Sequence, residues 1–327
     1  MVWIAAGVVA VLGAFQFLGA SRDPADRPIG TYLARAVIPM AEPSASAFGE
    51  SGEVKVSFAM PDQEISYPLD VHGDPTGLQY AWVRNGETDL STSALPLAGD
   101  KVKVPAKAGF YRLTLIKEDR QRVVPGLTLA VLVPFEEKEG AMLRGYRIGT
   151  YLAERARGRT PPPEGFLEIT PADLDLPITK HLHVGDFLNH DQQGVGPSYA
   201  AVNPKLLDKL ELVIAEIARW HGDKAIADLE IDVHSGFRAP DHNRKIRRAA
   251  RDSQHQYGDA ADVAIDANGD GKLTAIDSRM VGLAVEIVEL KHPSLVGGLG
   301  MYTSGHSSTN YVHIDVRGKR ARWRGKG

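Results

Sequence analysis

Ser253-Gln-His-Gln-Tyr-Gly-Asp-Ala-Ala-Asp262 is the stretch that decides the fold predicted for this chain of 327 residues. It contains an imidazole at His255 and a carboxylate at Asp262, two side chains that bind zinc well. They are too far apart in sequence to lie on adjacent turns of a helix. Gly258 and two alanines favour a tight loop that leads into a strand. Such a loop can bring both side chains to one point.

A third ligand for the same ion is available near the end of the chain. Tyr311-Val-His-Ile-Asp-Val316 alternates apolar and polar residues and is predicted to be the final strand, with His313 as the ligand. Three protein ligands leave zinc a fourth position for water, which is typical of catalytic zinc sites rather than structural ones. The alternative is that the three side chains have unrelated structural roles.

These motifs resemble those of a known family. Ser-x-His-x-x-Gly-x-Ala-x-Asp, followed by a strand that carries His, is similar to the D-Ala-D-Ala carboxypeptidase family of zinc peptidases, M15. The resemblance covers about residues 200–323, and the domain is predicted to span residues 144–327. Its end is most similar to the branch that includes murein endopeptidases. The further matching positions are Ser235-Gly-Phe-Arg238, Asn243, Gly297–Tyr302, Val312–Asp315 and Arg322-Trp323.

The resemblance implies roles for individual side chains. His255, Asp262 and His313 would bind zinc. Arg238 matches the family arginine near the scissile bond, where its guanidinium would polarise a carbonyl or hold a C-terminal carboxylate. An ordinary salt bridge is the alternative for this arginine. Ser253 and Asn243 would support the substrate in the same cleft.

One position departs from the family pattern. Several members carry Asp or Glu three residues before the last histidine as general base, but this chain has Asn310, which cannot accept a proton. Residues two apart on a strand share a face, so Asp315 is the first candidate for the base or for a hydrogen-bond partner of His313. His306 is the second candidate. A metal-containing but inactive domain is the alternative.

A second metal site is predicted directly after the zinc strand. The stretch 266–277 fits a calcium loop, although it ends in Asp instead of Glu and follows a strand instead of a helix. The alternative is a turn in which Thr274 caps the following helix and Asp277 completes the cap. The predicted calcium ligands are Asp266, Asn268, Asp270, the Lys272 carbonyl, Thr274 and Asp277.

The N-terminus differs in character from the rest of the chain. Val2–Ala20 contains no charged residue, and a helix of this length spans about 28 Å, close to the thickness of a bilayer core. An export signal or a membrane anchor is therefore predicted over residues 1–21, with an uncleaved anchor favoured. A buried core helix is the alternative. Residues 22–50 are predicted to be a proline-containing linker.

Two folded parts are predicted after the linker. Residues 51–135 show short alternating strands separated by turn residues, which is typical of an all-β, sandwich-like module. Residues 144–200 are rich in proline and glycine and are expected to wrap onto the next domain. Apolar periodicity predicts helices from Asn203 and over Met280–Leu290, with strands between and after them. The C-terminal part is thus an α+β domain with a small antiparallel sheet and flanking helices.

Composition and motifs together lead to one functional expectation. The net charge is −3 and no nucleic-acid motif occurs, so nucleic acid is not expected as a partner. The chain has no cysteine, which excludes disulfide bonds and thiolate metal sites. We expect a zinc peptidase outside the cytoplasm, in the periplasm or cell envelope and anchored in the membrane. It would hydrolyse peptidoglycan stem or cross-link peptides as a D,D-carboxypeptidase or an endopeptidase. A non-catalytic wall-binding module with a metal site is the alternative.

Overall fold

The fold was obtained as a computed structural model. It describes residues 49–326, apart from 70–75, 119, 125, 156–157, 159, 189, 192, 223–228, 230 and 304–309. The predicted anchor or export signal, nearly all of the predicted linker and His306 lie outside these residues. Within the described part, no helix combines the length and the apolar character needed to cross a bilayer.

The N-terminal part is built from eight short strands. They are β1 (Val56–Ala59), β2 (Glu64–Ser66), β3 (Gln79–Arg84), β4 (Leu95–Pro96), β5 (Lys101–Lys103), β6 (Gly109–Lys117), β7 (Arg120–Val123) and β8 (Thr128–Val131). Six of them form one sheet in the order β1-β8-β6-β3-β4, with β7 also pairing with β6, while β2 and β5 form a separate pair. The all-β prediction therefore holds, but the second layer of the sandwich is only two strands wide.

This sheet is buried on both faces. On β6, Tyr111, Leu113 and Leu115 belong to a core shared with the β2–β5 pair. Phe110 and Ala108 belong to a larger core that extends into the C-terminal part. The sheet is therefore packed against the C-terminal part through its own apolar side chains.

The middle of the chain joins the two parts. Its strands are β9 (Val133–Pro134), β10 (Lys138–Glu139), β11 (Met142–Leu143), β12 (Tyr146–Arg147), β13 (Gly165–Ile169) and β14 (Ser198–Ala200). They form the small sheets β10-β11-β12 and β14-β13-β9. Tyr146, Tyr151, Phe166 and Tyr199 are buried in the larger core. This proline-rich and glycine-rich region thus wraps onto the C-terminal part through its aromatic residues.

The C-terminal part combines one sheet with helices. Its elements are α1 (Pro204–Trp220), β15 (Ile231–Ser235), α2 (Pro240–Asn243), β16 (Ala260–Ile265), α3 (Ala275–Lys291), β17 (Gly298–Thr303), β18 (Tyr311–Asp315) and β19 (Ala321–Lys326). The strand order is β15-β16-β18-β17-β19. The β17–β19 pair is parallel, so the predicted antiparallel sheet is in fact mixed. The cause is that β18 and β19 flank β17 on opposite sides and the chain reverses between them.

The two long helices begin where the sequence predicts a cap or an apolar period. Asn203 caps α1, and its side chain accepts a hydrogen bond from the Lys205 backbone N–H at 2.9 Å. Val263, Val312 and Val281 of α3 share the larger core, so α3 covers that face of the sheet. Strand alternation then places Asp262 and His313 on the opposite face.

Helix α3 has more apolar side chains than the neighbouring elements cover. Leu283 and Leu290 were predicted as part of the buried stripe, but they are 56% and 82% exposed. The sheet covers only one side of this helix. The periodicity correctly predicts the helix, but not which of its apolar residues are buried.

Candidate metal centre

Three buried side chains from a turn and two neighbouring strands converge at one point. His255 lies in the 3-10 turn Gln254–Tyr257, while Asp262 on β16 and His313 on β18 are direct partners across the sheet. His255 Nε2 lies 3.2 Å from Asp262 Oδ1 and 3.1 Å from His313 Nδ1. His313 Nδ1 lies 2.9 Å from the same oxygen. Within the described residues this is the one group of three His, Cys, Asp or Glu side chains that could share an ion.

The turn that carries His255 depends on Gly258. This glycine ends the turn with φ at 73°, a conformation that favours glycine, and a side chain there would collide with the Ala201 carbonyl. The Asn203 backbone N–H donates to the Gly258 carbonyl at 3.0 Å, and the Asn203 side chain donates to Asp259 at 2.8 Å. The residue that caps α1 therefore also fixes the metal-binding turn.

The remaining polar atoms of the three side chains have other partners. His255 Nδ1 donates to the Gly236 carbonyl at 2.7 Å, which leaves Nε2 as the acceptor facing the centre. His313 Nε2 donates to Asp315 Oδ2 at 3.0 Å, which leaves Nδ1 facing the centre. Asp262 Oδ2 is paired with Arg238. Three acceptor atoms with free lone pairs therefore point at one another.

This donor set fits a zinc ion. Zinc–nitrogen bonds of about 2.0–2.1 Å place tetrahedral donors about 3.3 Å apart, and the measured separations are 2.9–3.2 Å. Three unprotonated acceptors at these distances repel one another unless a cation lies between them. Two imidazoles and one carboxylate are a ligand set of catalytic zinc sites, in which water takes the fourth position.

The electrostatics favour the metal-binding protonation states of His255 and Asp262. Burial lowers the pKa of His255, although Asp262 opposes this effect. Burial alone would raise the pKa of Asp262, but the two histidines outweigh it and the pKa is lowered. Burial also acts to lower the pKa of His313, whereas hydrogen bonds to Asp262 and Asp315 raise it overall. Asp262 is consequently ionised and His255 is neutral near pH 7.

Arg238 contacts a metal-binding residue directly. One of its guanidinium nitrogens pairs with Asp262, and Nε donates to Ser235 Oγ at 2.7 Å. Ser235 lies opposite Asp262 at a bulge in β15, and sequence reasoning did not assign it a role. The salt bridge considered for Arg238 exists, and its partner is the outer oxygen of the carboxylate at the centre.

Asp315 is enclosed and fully hydrogen-bonded, which bears on its two predicted roles. Its side chain has no exposed surface and accepts hydrogen bonds from Gly298 N at 2.6 Å and Arg317 N at 3.1 Å, besides the Arg317 guanidinium and His313. A carboxylate whose oxygens are all engaged cannot reach a substrate. The geometry therefore favours a partner of His313 over a general base.

Three other polar residues singled out by the sequence are buried. Asn310 is buried, and its amide donates to the Leu273 carbonyl at 3.3 Å. Asn243 donates to the Ala250 carbonyl at 2.9 Å, which holds the loop after α2. Ser253 is buried at the start of the turn that carries His255.

An aromatic wall, defined as Trp323, Tyr302 and Tyr311, borders the centre. The Trp323 ring lies 5.0 Å from the His313 ring, and its Nε1 donates to the Tyr302 hydroxyl at 2.9 Å. The rings of Tyr302 and Tyr311 stack at 4.6 Å. Gly300 makes this possible, because any side chain there would collide with Trp323. Trp323 and Tyr302 carried a sequence signal through the family resemblance, and Tyr311 did not.

The predicted calcium loop adopts a different arrangement. Asp266 accepts hydrogen bonds from the backbone of Gly269 at 3.0 Å and Gly271 at 2.7 Å. Asp277 completes the helix cap of Thr274, with bonds of 2.8 Å to its N–H and hydroxyl. The loop acidic groups do not converge on a point, so the calcium prediction is not supported and the capped turn is observed. The residues concerned are Asp266, Asn268, Asp270, Lys272, Thr274 and Asp277.

Comparison with known families identifies this region. Residues 201–315 match the family model described as Peptidase M15. The C-terminal region of this chain belongs to the M15 peptidase family. The match includes Arg238 and all three converging side chains, and it confirms the resemblance predicted from the motifs. No curated protein matches the chain. The β-rich part and Trp323 of the aromatic wall lie outside the M15 match.

Proposed function

We propose that this protein is a zinc-dependent peptidase that hydrolyses peptides of peptidoglycan, as a D,D-carboxypeptidase or a cross-link endopeptidase. The observation that carries the proposal is the convergence of two imidazoles and one carboxylate with their outer atoms already hydrogen-bonded. Membership of the M15 family supports the peptidase class. The substrate class rests on what the family acts on.

The chain's own residues prepare the centre for catalysis. Zinc would supply Lewis acidity towards a peptide carbonyl and an activated water. Gly236 and Asp315 fix the two imidazoles in the tautomers that present lone pairs. Arg238 holds the outer oxygen of Asp262, so one oxygen of this carboxylate faces the centre. Trp323 of the aromatic wall packs beside the His313 ring.

The proton acceptor has to come from another group. Asp315 is enclosed, and Asn310 cannot take a proton. We therefore propose His306, in the segment just before β18, as the general base. Arg238, Ser253 and Asn243 remain proposed contacts for the substrate.

The proposed location follows from the N-terminus and from the substrate. Val2–Ala20 is proposed to anchor the chain in the cytoplasmic membrane, with the peptidase outside it in the periplasm or cell envelope. Peptidoglycan stem and cross-link peptides are found on that side. Fusing residues 1–50 to a reporter enzyme and fractionating the cells tests this placement, which fails if the reporter stays in the cytosol.

A second candidate function is a wall-binding module with a non-catalytic metal site. Asn310 favours it, because this position holds the family base in several members and is here bonded to the Leu273 carbonyl. Such a module would keep the metal cleft for recognition only.

One assay separates the candidates. The full chain with zinc is incubated with a pentapeptide muropeptide and with a cross-linked dimer, beside His313→Ala and, as an exposed-histidine control, His183→Ala. Release of D-alanine from the pentapeptide indicates a carboxypeptidase, and conversion of dimer to monomers indicates an endopeptidase. Whichever activity the wild type shows should be lost in His313→Ala and retained in His183→Ala. Binding to sacculi without any product supports the module and overturns the enzyme proposal.

A further inference from the structure

Lys209 on α1 is fully buried although it carries an ammonium group. Its side chain has no exposed surface, and Nζ lies 2.7 Å from Glu289 Oε1 on α3 and 2.7 Å from the Asp315 backbone carbonyl on β18. Burial lowers the pKa of Lys209, while Glu289 opposes that effect. Buried ion pairs are often no more stabilising than apolar residues of the same volume. Stability alone therefore does not explain why Lys209 and Glu289 form a buried ion pair at this position.

The pair continues into a larger buried cluster. Glu289 also accepts a hydrogen bond from the Gly297 N–H at 3.0 Å and pairs with Arg322. Arg322 donates to the Gly297 carbonyl at 2.7 Å. Both backbone groups of Gly297 are thus held by the cluster. The next residue, Gly298, donates its N–H to Asp315 Oδ1.

The two glycines allow an unusually close approach to Asp315. A side chain at Gly297 would collide with the Asp315 carbonyl, and one at Gly298 would collide with its carboxylate. Asp315 is therefore held at its main chain by Lys209 and at its side chain by Gly298. The same carboxylate holds His313 Nε2 at 3.0 Å.

We propose that Lys209 is a positioning residue of the metal centre, acting through Asp315 on His313. By fixing the main chain at Asp315, it keeps the carboxylate where it holds His313 with Nδ1 turned towards His255 and Asp262. This inference rests on the metal site of the proposed function but not on hydrolysis. The competing explanation is that Lys209 only links α1 to α3 and β18.

The test compares two buried charges on the same helix. In the full-length protein, Lys209→Met removes the link to Asp315. Glu211→Gln is the matched control, because Glu211 is equally buried on α1 but bonds Thr179 and His181. We measure zinc affinity by competition with a chelator and record the visible spectrum of the cobalt-substituted protein. Melting of the metal-free variants reports their stability.

The proposal expects a change in metal binding that stability does not explain. Lys209→Met should weaken zinc binding about 10-fold or more, the range seen when a partner of a ligand is lost, and should shift the cobalt spectrum. Glu211→Gln should lower the melting temperature but leave the zinc affinity and the cobalt spectrum unchanged. An affinity within about threefold of the wild type for Lys209→Met, or an equal loss in the control, overturns the proposal.

A second variant covers the case in which Lys209→Met does not fold. Glu289→Gln keeps the volume and an acceptor oxygen but removes the charge beside Lys209, and it should weaken zinc binding in the same direction. Unchanged binding there overturns the proposal too. If His313→Ala binds zinc as the wild type does, the proposed metal site itself is wrong. That result is distinct from a failure of the role of Lys209 alone.

Discussion

Replacing Asp315 by asparagine should weaken zinc binding without changing the size of the side chain. The carboxylate accepts from His313 Nε2 through Oδ2, and from Gly298 N and Arg317 N through Oδ1. Asparagine has one acceptor oxygen, so it can serve either His313 or the two backbone N–H groups, but not both. Each orientation of its amide has a definite consequence.

If the oxygen takes the Oδ1 position, the amide nitrogen donates to His313 Nε2. The proton of His313 must then move to Nδ1, the atom that faces the centre, and this tautomer cannot bind a metal. If the oxygen takes the Oδ2 position, His313 is unchanged, but the buried Gly298 N–H and the part-buried Arg317 N–H lose their acceptor. Zinc binding requires the second orientation, so the free energy of zinc binding is reduced by the cost of leaving these backbone N–H groups without an acceptor.

The magnitude follows from the cost of an unsatisfied buried donor, about 1–3 kcal/mol. At about 1.4 kcal/mol per tenfold change, the zinc affinity should fall about 5-fold to 150-fold. This agrees with the 10–100-fold range for loss of a group that holds a metal-bound histidine. Chelator competition measures the affinity, with the exposed Asp232→Asn as control. An Asp315→Asn affinity within about threefold of the wild type would refute this reasoning.

Three further predictions follow from the site. In the metal-free protein the lowered pKa of Asp262 contributes stability above the ordinary aspartate pKa of about 4, and this contribution is lost as pH falls below that value. Asp262→Asn should therefore flatten the dependence of the unfolding free energy on pH between about pH 4 and 2. Urea titrations that show an unchanged slope would contradict this prediction. Gly300→Ala should destabilise the protein by about 1–3 kcal/mol because the new methyl group meets Trp323, and urea denaturation showing no loss would count against the packing described. Calcium at about 1 mM should not raise the melting temperature of the zinc-loaded protein, because the carboxylates of the 266–277 loop already accept backbone hydrogen bonds. A rise in the melting temperature would support the predicted calcium site.

Local patterns predicted the two long helices, several strands and the three converging side chains. Asn203 as cap and the apolar period after it fix α1, since both act within one helix. His313 and Asp315 were placed on one face because strand geometry alone decides that. The calcium prediction is not supported, for a related reason. The same spacing of Asp and Thr residues serves a capped turn, and only the three-dimensional arrangement distinguishes the two.

Features that depend on distant segments were not predictable. The parallel pairing of β19 with β17, the enclosure of Asp315 by Gly298 and the pairing of Arg238 with Asp262 each join residues far apart in sequence. Strand alternation indicated one buried face for β6, whereas both are buried because the C-terminal part covers the other. The sequence pattern shows which residues are apolar, not which surface covers them.

X-ray absorption at the zinc edge, recorded on the full chain loaded with one equivalent of zinc, tests the metal centre most directly. Two imidazole nitrogens and oxygen donors at about 2.0–2.1 Å are predicted, with one imidazole lost in His255→Ala and in His313→Ala. Retention of zinc with an unchanged spectrum in both variants, or failure of the wild type to retain zinc, would contradict the account.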